Sequence, residues 1–97
     1  MSTFIILMKL TDQGAKAIKE APARIEAGIK GWESMGGKML DFYITMGEYD
    51  YVAVGDAPSD EAAAAFVVSL GALCNVHTSS MKAFTRVQFA NIVKKLP

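Results

Sequence analysis

The hydrophobic positions change their spacing along the chain, and each spacing predicts a different element. Near the start, Phe4-Ile5-Ile6-Leu7-Met8 is a continuous apolar run, which Lys9 and the polar cluster at residues 11–14 close. The shortness of this run and its β-branched residues favour a strand that is buried on both faces.

A helical spacing follows this strand. Thr11 is a good capping residue, and residues 15–20 are expected to form a short helical turn. Pro22 interrupts that turn but suits the first position of a new helix. We therefore predict a main helix over residues 22–35, which Gly36-Gly37 ends as a left-handed cap. Its apolar stripe is Ile25, Ile29 and Trp32.

Residues 38–46 have the period of two that is typical of a strand with two different faces. One face contains Leu40, Phe42, Ile44 and Met46, and the other contains Met39, Asp41, Tyr43 and Thr45. Residues 51–55 predict a second, apolar strand. The segment between them, Gly47-Glu48-Tyr49-Asp50, has a common length for a hairpin turn.

The last part of the chain predicts a helix, a strand and another helix. Ser59 caps the first helix, whose buried stripe is Ala63, Phe66, Val67 and Leu70. Residues 76–84 are more polar, which is typical of an edge strand. Thr85-Arg86-Val87-Gln88 is a capping-box sequence that opens a C-terminal helix over about residues 85–96. The apolar side of that helix is Phe89, Ile92, Val93 and Leu96.

The predicted order is β-α-β-β-α-β followed by a helix, in a single domain over residues 1–97. This is the α+β, ferredoxin-like arrangement, with an antiparallel sheet in the order 4-1-3-2 and an extra C-terminal helix. Right-handed crossovers place both main helices on one face of that sheet. The other face is left without cover.

The first strand indicates what covers that second face. Ile5 and Leu7 point to one side of the strand and Phe4, Ile6 and Met8 to the other, so both sides are apolar. Exposing a large apolar side chain forfeits about 1.5–3 kcal/mol. The chain is also 52% hydrophobic, which is high for so small a domain. We therefore expect two copies to pair sheet to sheet as a dimeric α+β barrel, or as part of a larger homo-oligomer.

Charge and cysteine content exclude some classes of function. Ten Lys and Arg balance ten Asp and Glu, which argues against a nucleic-acid-binding module, because such modules need a basic surface. No apolar run has membrane-spanning length and no signal peptide is apparent, so no membrane partner is expected and the cytoplasm is the expected location. Cys74, the single cysteine, lies in an apolar context and is expected to be a small buried hydrophobe.

Short motifs spread over most of the chain resemble the GYD-domain family. They are Thr11-Asp12-Gln13-Gly14, Pro22 with Arg24, Gly36-Gly37-Lys38, Thr45-Met46-Gly47-Glu48-Tyr49-Asp50, Ala57-Pro58, and Asn75-Val76 leading to Ala83-Phe84. The resemblance implies a ferredoxin-like fold of the dimeric α/β-barrel type, and it implies no particular activity. Within it, His77 stands where an Arg or Lys would be expected, so no anion-binding role is carried over to that position.

The hairpin and the last strand contain the candidate catalytic residues. Glu48 could act as a general acid or base at the mouth of a barrel cavity, and His77 as a base or proton shuttle. Tyr49 and Asp50 are candidate ligand-binding groups, although all three hairpin residues also suit a plain polar turn. His77 has no second histidine and no cysteine pair to join it, so we predict no metal site and no cofactor.

Two further residues are candidates for ligand binding. Arg24 lies near the start of the main helix, where a cation is unfavourable to the helix dipole. We therefore expect a partner for it, such as Glu48, Asp50 or the carboxylate of a ligand. Tyr43, on the mixed face of the second strand, could line a cavity with its hydroxyl group.

Three functions remain open on these residues. The first is an oligomeric small-molecule-binding or regulatory module, with the ligand in the cavity between two sheets. The second is a cofactor-less isomerase or oxygenase, by analogy with other dimeric α/β barrels. The third is a purely structural assembly protein.

Overall fold

Four antiparallel strands form one sheet, and helices cover one of its two faces. A computed structural model describes all residues, 1–97. In chain order the elements are β1 (Ser2–Leu10), α1 (Asp12–Lys16), a 3₁₀ turn (Ile18–Glu20), α2 (Ala21–Ser34), β2 (Lys38–Ile44), β3 (Tyr51–Ala57), α3 (Asp60–Ala72), β4 (Val76–Ala83) and α4 (Arg86–Val93). The strands lie in the order β2-β3-β1-β4, so the predicted strand order is confirmed.

The hydrophobic core lies between the sheet and α2 and α3. Alternate residues of β1, Phe4, Ile6 and Met8, are buried on this face, as are alternate residues of β3 from Tyr51 to Ala57. Trp32 is fully buried, at 0% exposure. Its indole N–H donates to the carbonyl oxygen of Asp56 at 2.9 Å, so burial leaves no polar group of the ring unsatisfied.

The predicted facing of β2 is wrong at its start, because the strand contains a bulge. Met39 is paired with Gly55 and Asp41 with Val54, so one extra residue lies between them. Beyond the bulge Phe42 is paired with Ala53. Met39 therefore lies on the same, helix-covered face as Phe42 and packs against the core. A bulge adds one residue and reverses the facing of everything before it.

The three predicted capping residues each precede a helix, but the first helix spans Asp12–Lys16 and is followed by a 3₁₀ turn, whereas one turn over residues 15–20 was predicted. Thr11, Ser59 and Thr85 each accept a hydrogen bond from the backbone N–H of the third residue of the helix that follows. The box between Thr85 and Gln88 is reciprocal. Gly36 has a φ of 95°, which confirms the left-handed end of α2. The C-terminal helix is shorter than predicted and ends at Val93.

Cys74 is not the buried hydrophobe that was expected. It is exposed and has a φ of 63°, in the left-handed region that follows the end of α3. The backbone N–H of Cys74 donates to the carbonyl of Gly71 at 3.0 Å. A residue in the left-handed conformation commonly ends a helix, and it is usually glycine. No glycine stands at this point of the chain, so Cys74 adopts that conformation.

Helix α1 is tied to the α3–β4 connection. The backbone N–H of Thr11 donates to the Asn75 carbonyl at 3.1 Å, and the Thr11 hydroxyl donates to the Cys74 carbonyl at 2.6 Å. Gly14 is buried in this contact. A Cβ atom at position 14 would collide with the carbonyl oxygen of Asn75, which is backbone and cannot move aside.

Gly14→Ala is therefore expected to destabilise the fold by about 1–3 kcal/mol, because the overpacked contact must shift. Gly71→Ala is the matched control. A Cβ at position 71 meets nothing within 4 Å, so that substitution is expected to stabilise helix α3 by up to about 1 kcal/mol. Urea denaturation of both variants measures the difference, and equal midpoints for the two would contradict this account of position 14.

Helix α4 lies outside the packed body. Every residue from Phe84 to Pro97 is exposed. The molecule measures 52 Å along its longest axis and 19 Å along its shortest, and its radius of gyration of 14.7 Å exceeds the ~12.5 Å expected of a compact chain of this length. The chain thus has a body and a projecting C-terminal arm, which we define as residues 84–97.

Candidate functional site

The face of the sheet that no helix covers has an apolar centre. Ile5 and Leu7 of β1 and Val52 and Val54 of β3 point to this side and are half-buried. Met81 of β4 is opposite Ile5 in register and is 44% exposed. We call this surface the open sheet face. Tyr43 lies on it opposite Val52, and its side chain is 56% exposed.

Polar residues border the open sheet face at both ends. At one end the Thr3 hydroxyl donates to the Asp56 carboxylate at 2.6 Å. At the other end Lys9 and His77 are opposite each other in register on β1 and β4. The ammonium group of Lys9 lies 5.9 Å from the centre of the Tyr49 ring, within the range of a cation–π contact. Lys9, His77 and Tyr49 thus lie around one end of an apolar surface.

The β2–β3 hairpin is fixed to β1 by Asp50. Its carboxylate accepts a hydrogen bond from the backbone N–H of Leu10 at 2.8 Å. Its own backbone N–H donates to the Met8 carbonyl at 2.9 Å. Gly47 has a φ of 122°, which the turn requires. Asp50 is therefore a structural anchor of the hairpin, while Glu48 is exposed and makes no hydrogen bond or ion pair.

The structure separates the predicted site residues into two groups. Tyr43, Tyr49 and His77 belong to the open sheet face or its border. Arg24 belongs to the opposite, helix-covered side of the sheet. The prediction that Arg24 pairs with a carboxylate of the hairpin is wrong. Its guanidinium contacts Glu20 at 3.4 Å and the Gly14 carbonyl at 3.5 Å. No hydrogen bond links His77 to Glu48.

Lys9 is the residue of this border that sequence reasoning missed as a candidate. Lys9 is two residues beyond Leu7 and four beyond Ile5, so all three side chains lie on the same face of the strand. It is the one charged residue within the strand. A lysine that directly follows the apolar run of β1 is the signal that could have identified it. It gives the open sheet face a cation beside His77.

The second feature that the sequence did not predict is a cleft on the helix-covered side. It lies between α2, α3 and the sheet and has a volume of about 270 Å³. Fifteen of its 19 lining residues are hydrophobic. Arg24 and Asn75 are among the four polar or glycine exceptions.

Neither surface has the arrangement of a metal site or a membrane segment. No group of three or more His, Cys, Asp or Glu side chains lies close enough together to hold a metal ion. No helix is long and apolar enough to cross a bilayer. The chemistry that the two surfaces offer is apolar contact with a few cationic and phenolic groups at the edges.

Comparison with known proteins places this geometry in a family. Residues 4–93 match the model of the GYD domain. A protein of Thermus thermophilus, the glutamine synthetase and cystathionine beta-lyase binding protein, is 30% identical over 97 residues, which span 99% of each chain. The crystal structure of a hypothetical protein from Pyrococcus horikoshii is similar in fold, with a TM-score of 0.57, 18% identity and coverage of 89% of this chain and 93% of that one. The chain therefore belongs to the GYD-domain family.

Proposed function

We propose that this protein is an oligomeric binding module that regulates other proteins by non-covalent association. Two copies close their open sheet faces against each other, and the two C-terminal arms remain free to bind partner proteins. The observation that carries this proposal is the amount of apolar surface that one chain leaves without cover. Only 11 of 97 residues are buried, and 15 large hydrophobic side chains are exposed.

The pairing of open sheet faces rests on the pattern of β1 and β3. A ferredoxin-like sheet has helices on one side only, so its second side needs either polar residues or a partner. Here the centre of that side is apolar and its polar residues lie at the two ends, as in an interface with an apolar core and a polar rim. A second copy offers the same surface and meets it symmetrically, as a two-fold dimer requires.

The binding of other proteins rests on the C-terminal arm. Four of its large apolar side chains are each at least 60% exposed, namely Phe84, Val87, Phe89 and Leu96. The capping box of α4 fixes where the helix begins. An isolated helix of eight residues is marginally stable in water, so α4 gains stability when its apolar side enters a groove. No acidic residue follows Glu61, and the arm contains Arg86, Lys94 and Lys95. An apolar groove with acidic edges is the complementary surface.

The relative from Thermus thermophilus indicates which partners to test. It is named for binding glutamine synthetase and cystathionine beta-lyase, and the present chain matches it from end to end. We therefore propose that the arm binds the glutamine synthetase and the cystathionine beta-lyase of the organism from which this chain comes. The purified enzymes are each titrated with the chain in a biolayer interferometry experiment.

Phe89→Ser is expected to weaken binding to these enzymes about 30-fold or more, because a central aromatic residue of an interface contributes about 2 kcal/mol or more. Met46→Ser is the matched control, since Met46 is fully exposed on the hairpin at 101% and lies outside the arm. Unchanged affinity of the Phe89→Ser variant, or no binding by the unmodified chain, would contradict the proposed role of the arm.

A further inference from the structure

The cleft between α2 and α3 has Phe66 and Arg24 among its lining residues, and we define its closed end as the end at Phe66 and its open end as the end at Arg24. At the closed end the Trp32 and Phe66 rings meet edge to face, with centroids 5.3 Å apart. A Cβ at Gly31 would lie 3.2 Å from the Phe66 ring, whereas a Cβ at Gly28 would have no neighbour within 4 Å. The two helices thus touch beside Gly31 and are apart beside Gly28, one turn nearer the start of α2.

Arg24 stands one turn further towards the open end. Its side chain is 28% exposed, so most of it is covered by the body. Its two contacts are long, at 3.4 Å to Glu20 and 3.5 Å to the carbonyl of Gly14, and the Glu20 side chain is 74% exposed. A guanidinium group has five N–H donors, so Arg24 can receive an anion at the mouth of the cleft.

We propose that the cleft binds a small aliphatic carboxylate, with the hydrocarbon chain between the helices and the carboxylate on Arg24. The apolar lining suits an alkyl chain, and the planar guanidinium matches a carboxylate with two parallel hydrogen bonds. One arginine with a nearby glutamate favours a single negative charge over the double charge of a phosphate. The volume of about 270 Å³ is near the lower limit for ligand pockets, so the ligand is short and unbranched.

This site is independent of the proposed pairing, because it lies on the other side of the sheet. A ligand between α2 and α3 would contact β1 and β3, the same two strands whose other side forms the centre of the open sheet face. The module would therefore have a ligand site in addition to its protein-binding surfaces. Ile6 and Met8 of β1 and Ala53 of β3 line the cleft.

The test separates the head of the ligand from its chain. Octanoate, hexanoate and 1-octanol are titrated into the full chain and into Arg24→Met by isothermal titration calorimetry. Octanoate is expected to bind about tenfold or more tightly than hexanoate, because each buried methylene adds about 0.8 kcal/mol. Arg24→Met is expected to weaken octanoate about 10-fold to 100-fold, as for a charge-assisted hydrogen bond, and to leave 1-octanol unchanged. Arg24→Lys keeps the charge and is expected to lie between the two.

A second pair of variants tests the cleft itself. Gly28→Phe fills the space beside α2 and is expected to abolish binding of both octanoate and 1-octanol, while Gly28→Ala preserves it. Circular dichroism checks that both variants fold. The proposal is overturned if octanoate produces no heat of binding at millimolar concentration, or if Arg24→Met weakens octanoate and 1-octanol equally. It is also overturned if Gly28→Phe changes the molar mass in solution, because the cleft then holds a segment of another copy.

Discussion

Trp32→Ala is expected to lower the free energy of unfolding by about 3–5 kcal/mol, as measured for other large aromatic side chains removed from cores. Trp32 is the one large side chain that is fully buried. It packs against Phe66 at the closed end of the cleft and lies against Gly37 and Gly55, where a Cβ would come within 2.8 Å of the indole ring. No small residue nearby can fill the space that alanine leaves.

A loss of this size is a large fraction of the total stability of a small domain, which is about 5–15 kcal/mol. Urea denaturation followed by far-ultraviolet circular dichroism measures it, since Trp32 is the only tryptophan and its fluorescence disappears with it. Trp32→Phe is the control. It keeps an aromatic ring and loses the hydrogen bond to Asp56, so we expect a smaller loss. A cost below about 1 kcal/mol for Trp32→Ala would show that the core lies elsewhere.

Leu7→Glu is expected to convert the proposed dimer into a folded monomer. Leu7 lies at the centre of the open sheet face, between Val52 on β3 and Ser79 on β4. In a sheet-to-sheet dimer the two glutamates would be buried without partners, at a cost of several kcal/mol per charge. Within one chain the position is only half-buried, so the fold itself survives.

The matched control for Leu7→Glu is Met46→Glu, which places the same charge on the exposed hairpin. Sedimentation velocity at tens of micromolar protein is expected to give a monomer for Leu7→Glu and the native species for Met46→Glu. Dissociation by both variants would mean that added charge alone, at any position, separates the copies. Persistence of the native species in Leu7→Glu would mean that the copies meet through another surface.

Local signals were sufficient to predict the elements and their order. The continuous run in β1 and the caps at Thr11, Ser59 and Thr85 are properties of a few neighbouring residues, and the structure confirms the strand and the three caps. Only the helix-covered face of β1 is buried within one chain, whereas both faces were predicted to be buried. The bulge between Met39 and Asp41 was not predicted, because the hydrophobic pattern does not show where a strand contains an extra residue. Cys74 escaped because its conformation is set by the end of α3 and its apolar neighbours suggest burial.

The candidate site was predictable only where strand parity determines it. Parity places Tyr43 and His77 on the open sheet face, since both are paired there with residues of the neighbouring strands. The partner of Arg24 and the cleft behind it depend on how far apart α2 and α3 lie. At one end the two helices meet where Gly31 faces the Phe66 ring. These residues lie 35 positions apart in the chain, so the local sequence does not reveal their contact.

The molar mass of the unmodified chain in solution tests the central claim most directly. Size-exclusion chromatography with light scattering at tens of micromolar protein is expected to give at least twice the 10.4 kDa of one chain, because we propose that a second copy covers the open sheet face. A stable, folded species of 10.4 kDa would contradict the proposal that this face is an interface between copies.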